Sequence, residues 1–339
     1  MSKRKLSRQQ AWRVEKIQAE RAKRAARRDA DAEKALQEGE LGPEQEGLIV
    51  AHYGSQVAVE STPGESVRCH MRANLDNLVT GDHVIWCAGE PTGVVVAQLA
   101  RNSELARPDS HGGMKTVAAN IDQILVVIAP YPEPHANLID RYLVASEALG
   151  IEPVIVLNKC DLLRAEPELD AAMGALLEPY PTIGYRVLRT SNTESGTDAL
   201  RRALQDRTSI FVGQSGVGKS SLVNMLLPEA QLRVGALSEN RQKGTHTTTT
   251  AQLFHLDGGG RLIDSPGIRE FGLWHLDKPQ VEQGFPEFRP FLGNCRFRNC
   301  QHEGEPDCAL LAAVEEGHIN PRRLASYRHI IAELAQAHS

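Results

Sequence analysis

The chain has few of the features that would place it in a membrane or outside the cell. Its longest uninterrupted apolar run extends only from Ile124 to Tyr131, far short of the ~20 residues that span a bilayer. No apolar segment follows the basic N-terminus, so a secretory signal peptide is not expected. Cysteine is scarce, with 6 in 339 residues, which disfavours a disulfide framework. We therefore expect a cytoplasmic protein with no membrane association.

Aromatic residues are also few, at 5% of the chain, whereas hydrophobic residues make up 41%. This hydrophobic content is enough to bury at least one full core, so a wholly disordered chain is excluded. The length of 339 residues suffices for two or three domains of ~100–200 residues each.

The net charge of -5 hides a strong asymmetry along the chain. Residues 1–28 contain eleven Lys or Arg and two Glu, a balance of +9, which leaves -14 for the rest. A basic segment on an acidic body suggests an RNA-binding arm. A solvated, Ala-rich tail that only favours solubility explains the charge equally well. We assign residues 1–44 to this arm and its linker.

Residues 45–100 contain five short β-rich runs separated by Gly, Pro, Asn and Asp. This spacing is typical of an OB-type barrel, a fold that commonly binds oligonucleotides, although it also suits an SH3-like barrel. Only Tyr53 and Trp86 offer base stacking there, so binding would depend on backbone and charge. Residues 101–117 are predicted to be a polar linker.

From residue 118 onward, strands alternate with helices, which predicts an α/β domain with a mostly parallel sheet over residues 118–275. Helices are expected at about 137–149 and 321–337. Residues 276–339 are assigned to a small C-terminal module that holds a cysteine cluster. The predicted strands of the α/β domain are Ile124–Ile128, Val154–Leu157, Ser209–Val212 and Arg261–Ile263.

Residues 213–220 fit the P-loop template, with both glycines and the Lys-Ser pair in register between a strand and a helix. Backbone amides of such a loop bind phosphate oxygens, Lys219 reaches the β- and γ-phosphates, and Ser220 supplies a hydroxyl to Mg²⁺. A Gly-rich turn without a ligand is the alternative. The predicted phosphate-binding residues are Gly213, Gln214, Ser215, Gly216, Val217, Gly218, Lys219, Ser220 and Ser221.

Asp264-Ser265-Pro266-Gly267 follows a predicted strand, which places Asp264 at the carboxyl end of that strand, facing the P-loop. A carboxylate there holds Mg²⁺, and the Gly267 amide can contact the γ-phosphate. Such a tetrapeptide also forms an ordinary turn, but after a P-loop it indicates the second switch of a GTPase.

Asn158-Lys159-Cys160-Asp161 follows the strand that ends at Leu157 and predicts guanine recognition. Asp161 can accept hydrogen bonds from guanine N1–H and the 2-amino group, Lys159 can lie along the base, and Asn158 can tie the segment to the P-loop. Adenine lacks that pair of donors, so the motif selects GTP over ATP. Ser191, after a further apolar run, is expected to contact guanine O6 through its backbone.

The order of these motifs is abnormal for a Ras-like GTPase. The P-loop comes first in such proteins, whereas here the guanine-recognition segment precedes it. Because domain termini often lie close together, a circular permutation of the same domain is the simplest explanation. The second switch then leads directly to the C-terminal module, so nucleotide-dependent movement can be passed to it.

Residues 235–250 hold a threonine-rich run, from which one hydroxyl is expected to bind Mg²⁺ and the γ-phosphate, with Thr247–Thr249 favoured. Ile268 stands where Ras-like enzymes place the glutamine that orients the attacking water, and an apolar side chain cannot do so. His246 is the candidate catalytic residue for that role. A surface histidine without a catalytic role is the alternative.

Cys295, Cys300, His302 and Cys308 offer three thiolates and one imidazole within fourteen residues. Three Cys and one His complete a closed tetrahedral Zn²⁺ site, which indicates a structural metal. Free or redox-active thiols are the alternative. Nearby arginines suggest either an RNA surface or solvated charges, and they are Arg289, Arg296, Arg298, Arg322 and Arg323.

With these motifs in this order, the chain closely resembles the RsgA (YjeQ) family of small ribosomal subunit biogenesis GTPases, over residues from about 45 to 335. The resemblance includes the segment 107–122 and the helix around Ile139–Leu143. The implied fold is a multidomain α/β protein with an N-terminal OB-type β-barrel, a circularly permuted P-loop GTPase domain and a C-terminal zinc-binding α-helical module. The implied metals are one structural Zn²⁺ per chain and Mg²⁺ bound with GTP.

The resemblance also implies hydrolysis of GTP to GDP and phosphate, slow in the free monomer and faster on the 30S ribosomal subunit. The implied partners are 16S rRNA near the decoding region and other 30S assembly factors, in late subunit maturation. Two other classes remain. A translational or signalling GTPase would show no stimulation by 30S particles. A zinc-dependent RNA-binding module would have a vestigial nucleotide site, against which the complete Lys219, Ser220 and Asp264 argue.

Overall fold

The structure is a computed structural model that describes residues 41–72, 75, 77–108, 113–191, 196–227, 251–264 and 276–337. The chain divides into two compact units, residues 1–101 and 102–339. Most of the predicted basic arm lies outside the described residues. Within the described ranges, no helix combines the length and the apolar character that a bilayer crossing needs.

The first unit is a closed five-stranded barrel. Its strands follow one another in the order β1-β2-β3-β5-β4, and β4 pairs back with β1, so that the sheet closes on itself. Only β3 and β5 pair in parallel. The predicted OB-type barrel is confirmed. The strands are β1 (Glu44–Tyr53), β2 (Gln56–Thr62), β3 (Glu65–Met71), β4 (His83–Cys87) and β5 (Gly93–Gln98).

Trp86 does not offer a stacking surface, because it is 2% exposed and packs in the barrel core with Ile49, Val57 and Met71. The prediction that Trp86 is available to bases is therefore wrong. Alternation along β4 points Trp86 to the interior. Tyr53, at 38% exposed, is the remaining aromatic of the two, and the Arg68 guanidinium lies 3.9 Å from its ring centre.

Residues 101–117 are not simply a polar loop, as the sequence predicted. β6 (Glu104–Pro108) and β7 (Met114–Ala119) form a two-stranded antiparallel ladder. Leu105 is buried, as are Ala118 and Ala119. The proline and glycines that suggested a linker lie at the end of β6 and in the connection between the two strands, so these turn signals belong to a hairpin.

The main sheet of the second unit has the order β10-β9-β8-β11-β13-β12. Five strands are parallel, and β12 alone runs antiparallel to its neighbour. The four strands predicted for this domain are confirmed. The strands are β8 (Gln123–Ile128), β9 (Glu152–Leu157), β10 (Arg186–Arg189), β11 (Thr208–Val212), β12 (Gln252–His255) and β13 (Arg261–Asp264).

Eight α-helices accompany the strands in the described part of the chain. Those predicted at about 137–149 and 321–337 are confirmed as α1 and α8. The helices are α1 (Ala136–Ala148), α2 (Pro167–Leu177), α3 (Pro179–Thr182), α4 (Asp198–Leu204), α5 (Lys219–Leu226), α6 (Lys278–Gln283), α7 (Ala309–Glu315) and α8 (Pro321–Ala337).

Helices pack against the parallel sheet. One core cluster contains Leu200 and Leu204 of α4 and Leu222 of α5 together with residues of β8, β9 and β11. Helix α1 contacts β8 and β9 and also packs against α6 and α8. The C-terminal helices are therefore part of the same compact unit as the parallel sheet.

Candidate functional site

The parallel strands bring three distant segments to one edge of the sheet. Asn158–Asp161 follow β9, the P-loop follows β11, and Asp264 ends β13. Because β9, β8, β11 and β13 are parallel, their carboxyl ends lie at the same edge, where open α/β sheets bind ligands. The sequence order is permuted, but the three segments meet in space.

The glycines of the P-loop are required by close contacts. Gly213 has a φ of +134°, and a Cβ there would lie 2.2 Å from the carbonyl oxygen of Val127. Gly218 has a φ of +96°, and its Cβ would lie 2.4 Å from Asn158 Nδ2. The Lys219 ammonium donates to the carbonyl oxygens of Gly213, at 2.6 Å, and of Gln214. The loop therefore has the compact form that allows backbone amides to face a phosphate.

Ser220 and Asp264 lie at the same small cavity, of about 70 Å³, which Lys219 also lines. Both side chains are exposed. A hydroxyl and a carboxylate are the hard oxygen ligands that Mg²⁺ takes alongside waters and substrate phosphates. These residues fit a Mg²⁺ ion that is bound together with a nucleotide.

Asn158 and Lys159 tie the guanine-recognition segment to the P-loop. Asn158 is fully buried, and its Nδ2 donates to the Val217 carbonyl oxygen at 3.0 Å while its Oδ1 accepts from Thr190 Oγ1 at 3.2 Å. Lys159 Nζ donates to the Gly216 carbonyl oxygen at 2.7 Å. The Asp161 side chain is exposed, so its carboxylate is open to a base.

Cys160 and Ser191 are the remaining predicted residues on this side of the site. The Cys160 amide donates to the carbonyl oxygen of Thr190 at 3.0 Å, which joins the segment to the end of β10. Burial raises the pKa of the Cys160 thiol, and Arg189 partly offsets this. Ser191 is 5% exposed beside it.

Two predicted residues, His246 and Gly267, lie outside the described residues, as do Ile268 and the favoured threonines Thr247–Thr249. All the other predicted nucleotide-binding residues are described. Ser191 follows β10, and the rest lie in the three segments at the sheet edge.

Two contacts to this site were not predicted. The carbonyl oxygen of Tyr131 accepts from Lys159 Nζ at 2.9 Å, and a backbone acceptor carries no sequence signal. Burial raises the pKa of Tyr142 on α1, whereas Arg141 and a hydrogen bond from the Gly213 amide lower it. The hydroxyl of Tyr142 therefore contacts the first residue of the P-loop.

The four predicted metal ligands form one cluster, in which all the ligand atoms lie within 4.8 Å of one another. Nδ1 of His302 lies 3.6 Å from Cys295 Sγ and 3.3 Å from Cys308 Sγ, and the two sulfurs are 4.0 Å apart. Zn–S bonds of about 2.3 Å and Zn–N bonds of about 2.0 Å give tetrahedral edges of roughly 3.5–3.8 Å. The cluster can therefore hold a zinc ion.

Burial raises the pKa of Cys300 to about 12, and the neighbouring thiols Cys308 and Cys295 add to this effect. A bound cation would compensate the charge of the Cys300 thiolate. The chemistry of the donors thus favours a metal over free thiolates.

Two of the five arginines near this cluster do not form an open RNA surface, contrary to one of the two sequence interpretations. Arg323 is 2% exposed and pairs with Asp140 and Glu287. Arg322 donates to the carbonyl oxygens of Ala175 and Leu176. The other three are Arg289, which pairs with Glu147 at 2.7 Å, and the exposed Arg296 and Arg298.

The fold and the site define a P-loop GTPase in which the guanine-recognition segment precedes the P-loop, that is, a circularly permuted GTPase. A sequence profile of the RsgA GTPase family matches residues 98–274. The chain belongs to this family and is a GTPase, and the predicted family and fold class are confirmed.

Relatives match over nearly the whole length. The small ribosomal subunit biogenesis GTPase RsgA of Azotobacter vinelandii is 59% identical over 342 residues, which cover 99% of each chain. Its counterpart from Pseudomonas aeruginosa is 59% identical over 338 residues, with the same coverage.

Two solved structures share the fold. YjeQ from Thermotoga maritima has a TM-score of 0.70 and 31% identity, covering 86% of this chain and 99% of that one. YloQ, described as a circularly permuted GTPase, has a TM-score of 0.67 and 29% identity, covering 87% and 96%.

Proposed function

We propose that this GTPase acts in late maturation of the small ribosomal subunit in the cytoplasm, where it binds 16S rRNA and hydrolyses GTP to GDP and phosphate. The observation that carries the nucleotide assignment is the meeting of Asn158–Asp161, the P-loop and Asp264 at one sheet edge. The ribosomal assignment is supported by 59% identity to proteins named small ribosomal subunit biogenesis GTPases.

In this proposal, each segment of the site has one task. The P-loop amides and Lys219 bind the phosphates, and Ser220 and Asp264 hold Mg²⁺. When bound, Mg²⁺ neutralises charge that develops on the phosphate oxygens. Asp161 accepts from the guanine donors, Ser191 contacts O6, and the Gly267 amide meets the γ-phosphate. We also propose that the protein is a monomer that contacts other 30S assembly factors.

The cluster of Cys295, Cys300, His302 and Cys308 is proposed to hold one structural Zn²⁺. Four protein ligands leave no open position for a substrate. The metal would therefore stabilise the module rather than take part in hydrolysis. The exposed Arg296 and Arg298 and the Tyr53–Arg68 pair of the barrel are the proposed rRNA-facing groups of their respective units.

We expect Asp161→Asn to reduce GTP affinity and to increase the affinity for xanthosine triphosphate. The amide places a donor against the guanine donors, and a mismatched polar contact costs ~1–3 kcal/mol, which is roughly 5–150-fold in affinity. Competition against a fluorescent GTP analogue measures both effects. Asp257→Asn is the matched control, because Asp257 is exposed in the β12–β13 turn at the opposite edge of the sheet. Equal binding of ATP and GTP by the unmodified protein would contradict the guanine assignment.

We expect GTP turnover to be slow in the free protein and to increase with purified 30S subunits but not with 50S subunits. A translational or signalling GTPase outside ribosome assembly would show no 30S stimulation.

We propose that His246 orients the attacking water, since Ile268 cannot. His246→Ala should then lower the 30S-stimulated rate by roughly 10²-fold or more.

GTP affinity and 30S association of His246→Ala should stay close to those of the unmodified protein, as measured by nucleotide titration and co-sedimentation. These two measurements separate a catalytic role from a binding role. A variant with full stimulated turnover would show that another group positions the water.

A further inference from the structure

The imidazole of His302 has one nitrogen in the metal cluster and the other against a carboxylate. Its Nδ1 faces the sulfurs of Cys295 and Cys308, at 3.6 and 3.3 Å. Its Nε2 lies 3.5 Å from Glu282 Oε1, and the two side chains are 8% and 17% exposed. Glu282 therefore sits behind the ring, on the side opposite the cluster.

Glu282 is held in place by groups outside the metal-binding segment. It lies on α6, and its Oε1 accepts from the Tyr327 hydroxyl of α8 at 2.8 Å. Tyr327 is 1% exposed. Helix α6 starts with a capping box, in which the Asp277 carboxylate accepts from the Gln280 amide at 2.9 Å. The position of the carboxylate is thus set by two helices that pack on each other.

The backbone of the metal-binding segment is held from the same helices. Lys278 of α6 donates to the carbonyl oxygen of Cys300 at 2.9 Å. Arg328 of α8 donates through Nε to the carbonyl oxygen of His302 at 2.8 Å. His302 itself has a φ of +62°, a region that non-glycine residues enter when surrounding contacts hold them there.

We propose that Glu282 is a positioning residue for the metal ligand His302, which rests on the zinc site proposed above. A neutral imidazole has one N–H, so binding through Nδ1 requires the proton on Nε2. A carboxylate behind Nε2 accepts this proton in a hydrogen bond, fixes the tautomer and makes Nδ1 a stronger ligand. Since N–H···O bonds are about 2.9–3.0 Å long, a shift of about 0.5 Å completes the contact.

The proposal predicts weaker zinc binding when the carboxylate is removed. In the full-length protein, Glu282→Ala should lower zinc affinity about 10–100-fold, and Glu282→Gln, which keeps an acceptor oxygen but not the charge, by less. Tyr327→Phe, which loses only the hydroxyl that holds Glu282, should show a smaller loss in the same direction. Competition with a chromophoric chelator measures each affinity, and GTP binding confirms that the nucleotide-binding part of each variant is folded.

Glu303→Gln is the matched control for charge. Glu303 is exposed and adjacent to His302 in sequence. Its replacement by glutamine therefore removes one negative charge near the cluster and keeps the Glu282 carboxylate behind Nε2. Its zinc affinity should be unchanged. An equal loss in Glu303→Gln and Glu282→Gln would overturn the positioning role in favour of a general charge effect.

A second variant background distinguishes a positioning role of Glu282 from a general contribution of Glu282 to the stability of the fold. In His302→Cys, the ligand set is four thiolates and no imidazole needs orienting, so adding Glu282→Ala should leave zinc affinity unchanged. If Glu282→Ala lowers zinc affinity by the same factor in both backgrounds, the proposal is overturned. It is also overturned if Glu282→Ala alone leaves zinc affinity unchanged.

Visible absorption of the Co²⁺-loaded protein gives an independent readout: Glu282→Ala should change the ligand-field bands, and identical bands would contradict the proposal. A wild-type protein that takes up no zinc would overturn the metal site itself, whereas zinc uptake without 30S stimulation would overturn only the ribosomal assignment.

Discussion

Cys300→Ala is expected to abolish stable zinc binding and to unfold residues near 290–315 while leaving GTP affinity unchanged. Zinc bound by such a ligand set contributes on the order of 10–16 kcal/mol at neutral pH, and in so small a segment most of this is folding free energy. Residues 289–308 contain no helix or strand in the structure, so a metal bound at the cluster would strongly constrain their conformation.

GTP binding should survive because the rest of the C-terminal module is attached without the metal. Phe285 and Phe288 stack with ring centres 4.7 Å apart, and Tyr327 packs edge-on against both, at 5.9 and 5.7 Å. All three are buried. These contacts, together with those of α6 and α8 on α1, are expected to hold the helices on the sheet after metal loss.

Metal analysis, hydrogen exchange and nucleotide titration measure the three expected effects of Cys300→Ala. Cys87→Ala is the control, since it removes a buried thiol of the barrel and should leave zinc content unchanged. Purified wild-type protein with no bound zinc and three freely titratable thiols would rule out a structural metal.

Arg323→Met is expected to destabilise the second unit by about 3–5 kcal/mol, the usual result of removing one partner from a buried ion pair. The guanidinium of Arg323 lies 2.5 Å from Asp140 Oδ1 and 2.6 Å from Glu287 Oε1, and all three side chains are at most 5% exposed. Without the arginine, two carboxylates would remain buried with no cation between them.

Further contacts make this arginine hard to replace. Asp140 also accepts from the Tyr180 hydroxyl at 2.8 Å, and the Arg323 guanidinium lies 4.5 Å from the ring centre of Phe285. Lysine would lose both the two-pronged hydrogen bonding and the stacking. Asp140 is on α1 and Arg323 on α8, so the network joins the C-terminal module to the helix that flanks the P-loop.

Urea unfolding of Arg323→Met and of the neighbouring Arg322→Met measures this effect. Arg322 is only partly buried and donates to backbone carbonyls, so its loss should cost about 1 kcal/mol. The double variant Arg323→Met/Asp140→Asn should recover part of the stability, because one unpaired charge is then removed. A loss of less than about 1 kcal/mol in Arg323→Met would show that the ion pairs contribute little.

The nucleotide-binding segments could be predicted because their chemistry depends on neighbours in sequence. A P-loop needs glycines and Lys219 at fixed spacing between a strand and a helix. The glycines lie between β11 and α5, and Lys219 is the first residue of α5, as expected. The same holds for Asn158 directly after β9. Parallel strands then place both segments at one edge of the sheet, whatever their order along the chain.

Other features depend on partners that are remote in sequence. Arg323 bonds to Asp140 across 183 positions and Tyr327 to Glu282 across 45, and no local pattern distinguishes Arg323 from Arg296. The ladder of β6 and β7 was also missed, because Gly and Pro signal a turn without showing whether strands flank it.

The sequence by itself determined the chemistry of this protein: the P-loop, the guanine-recognition segment, the four candidate metal ligands and the permuted order in which they occur. These depend on residue type and short-range spacing. Only the tertiary structure decided which charged and aromatic groups are buried, and so separated Arg323 and Trp86 from a nucleic-acid surface and placed Glu282 behind His302. The physical reason is that burial and pairing are set by contacts between elements far apart in the chain, which local propensity does not encode.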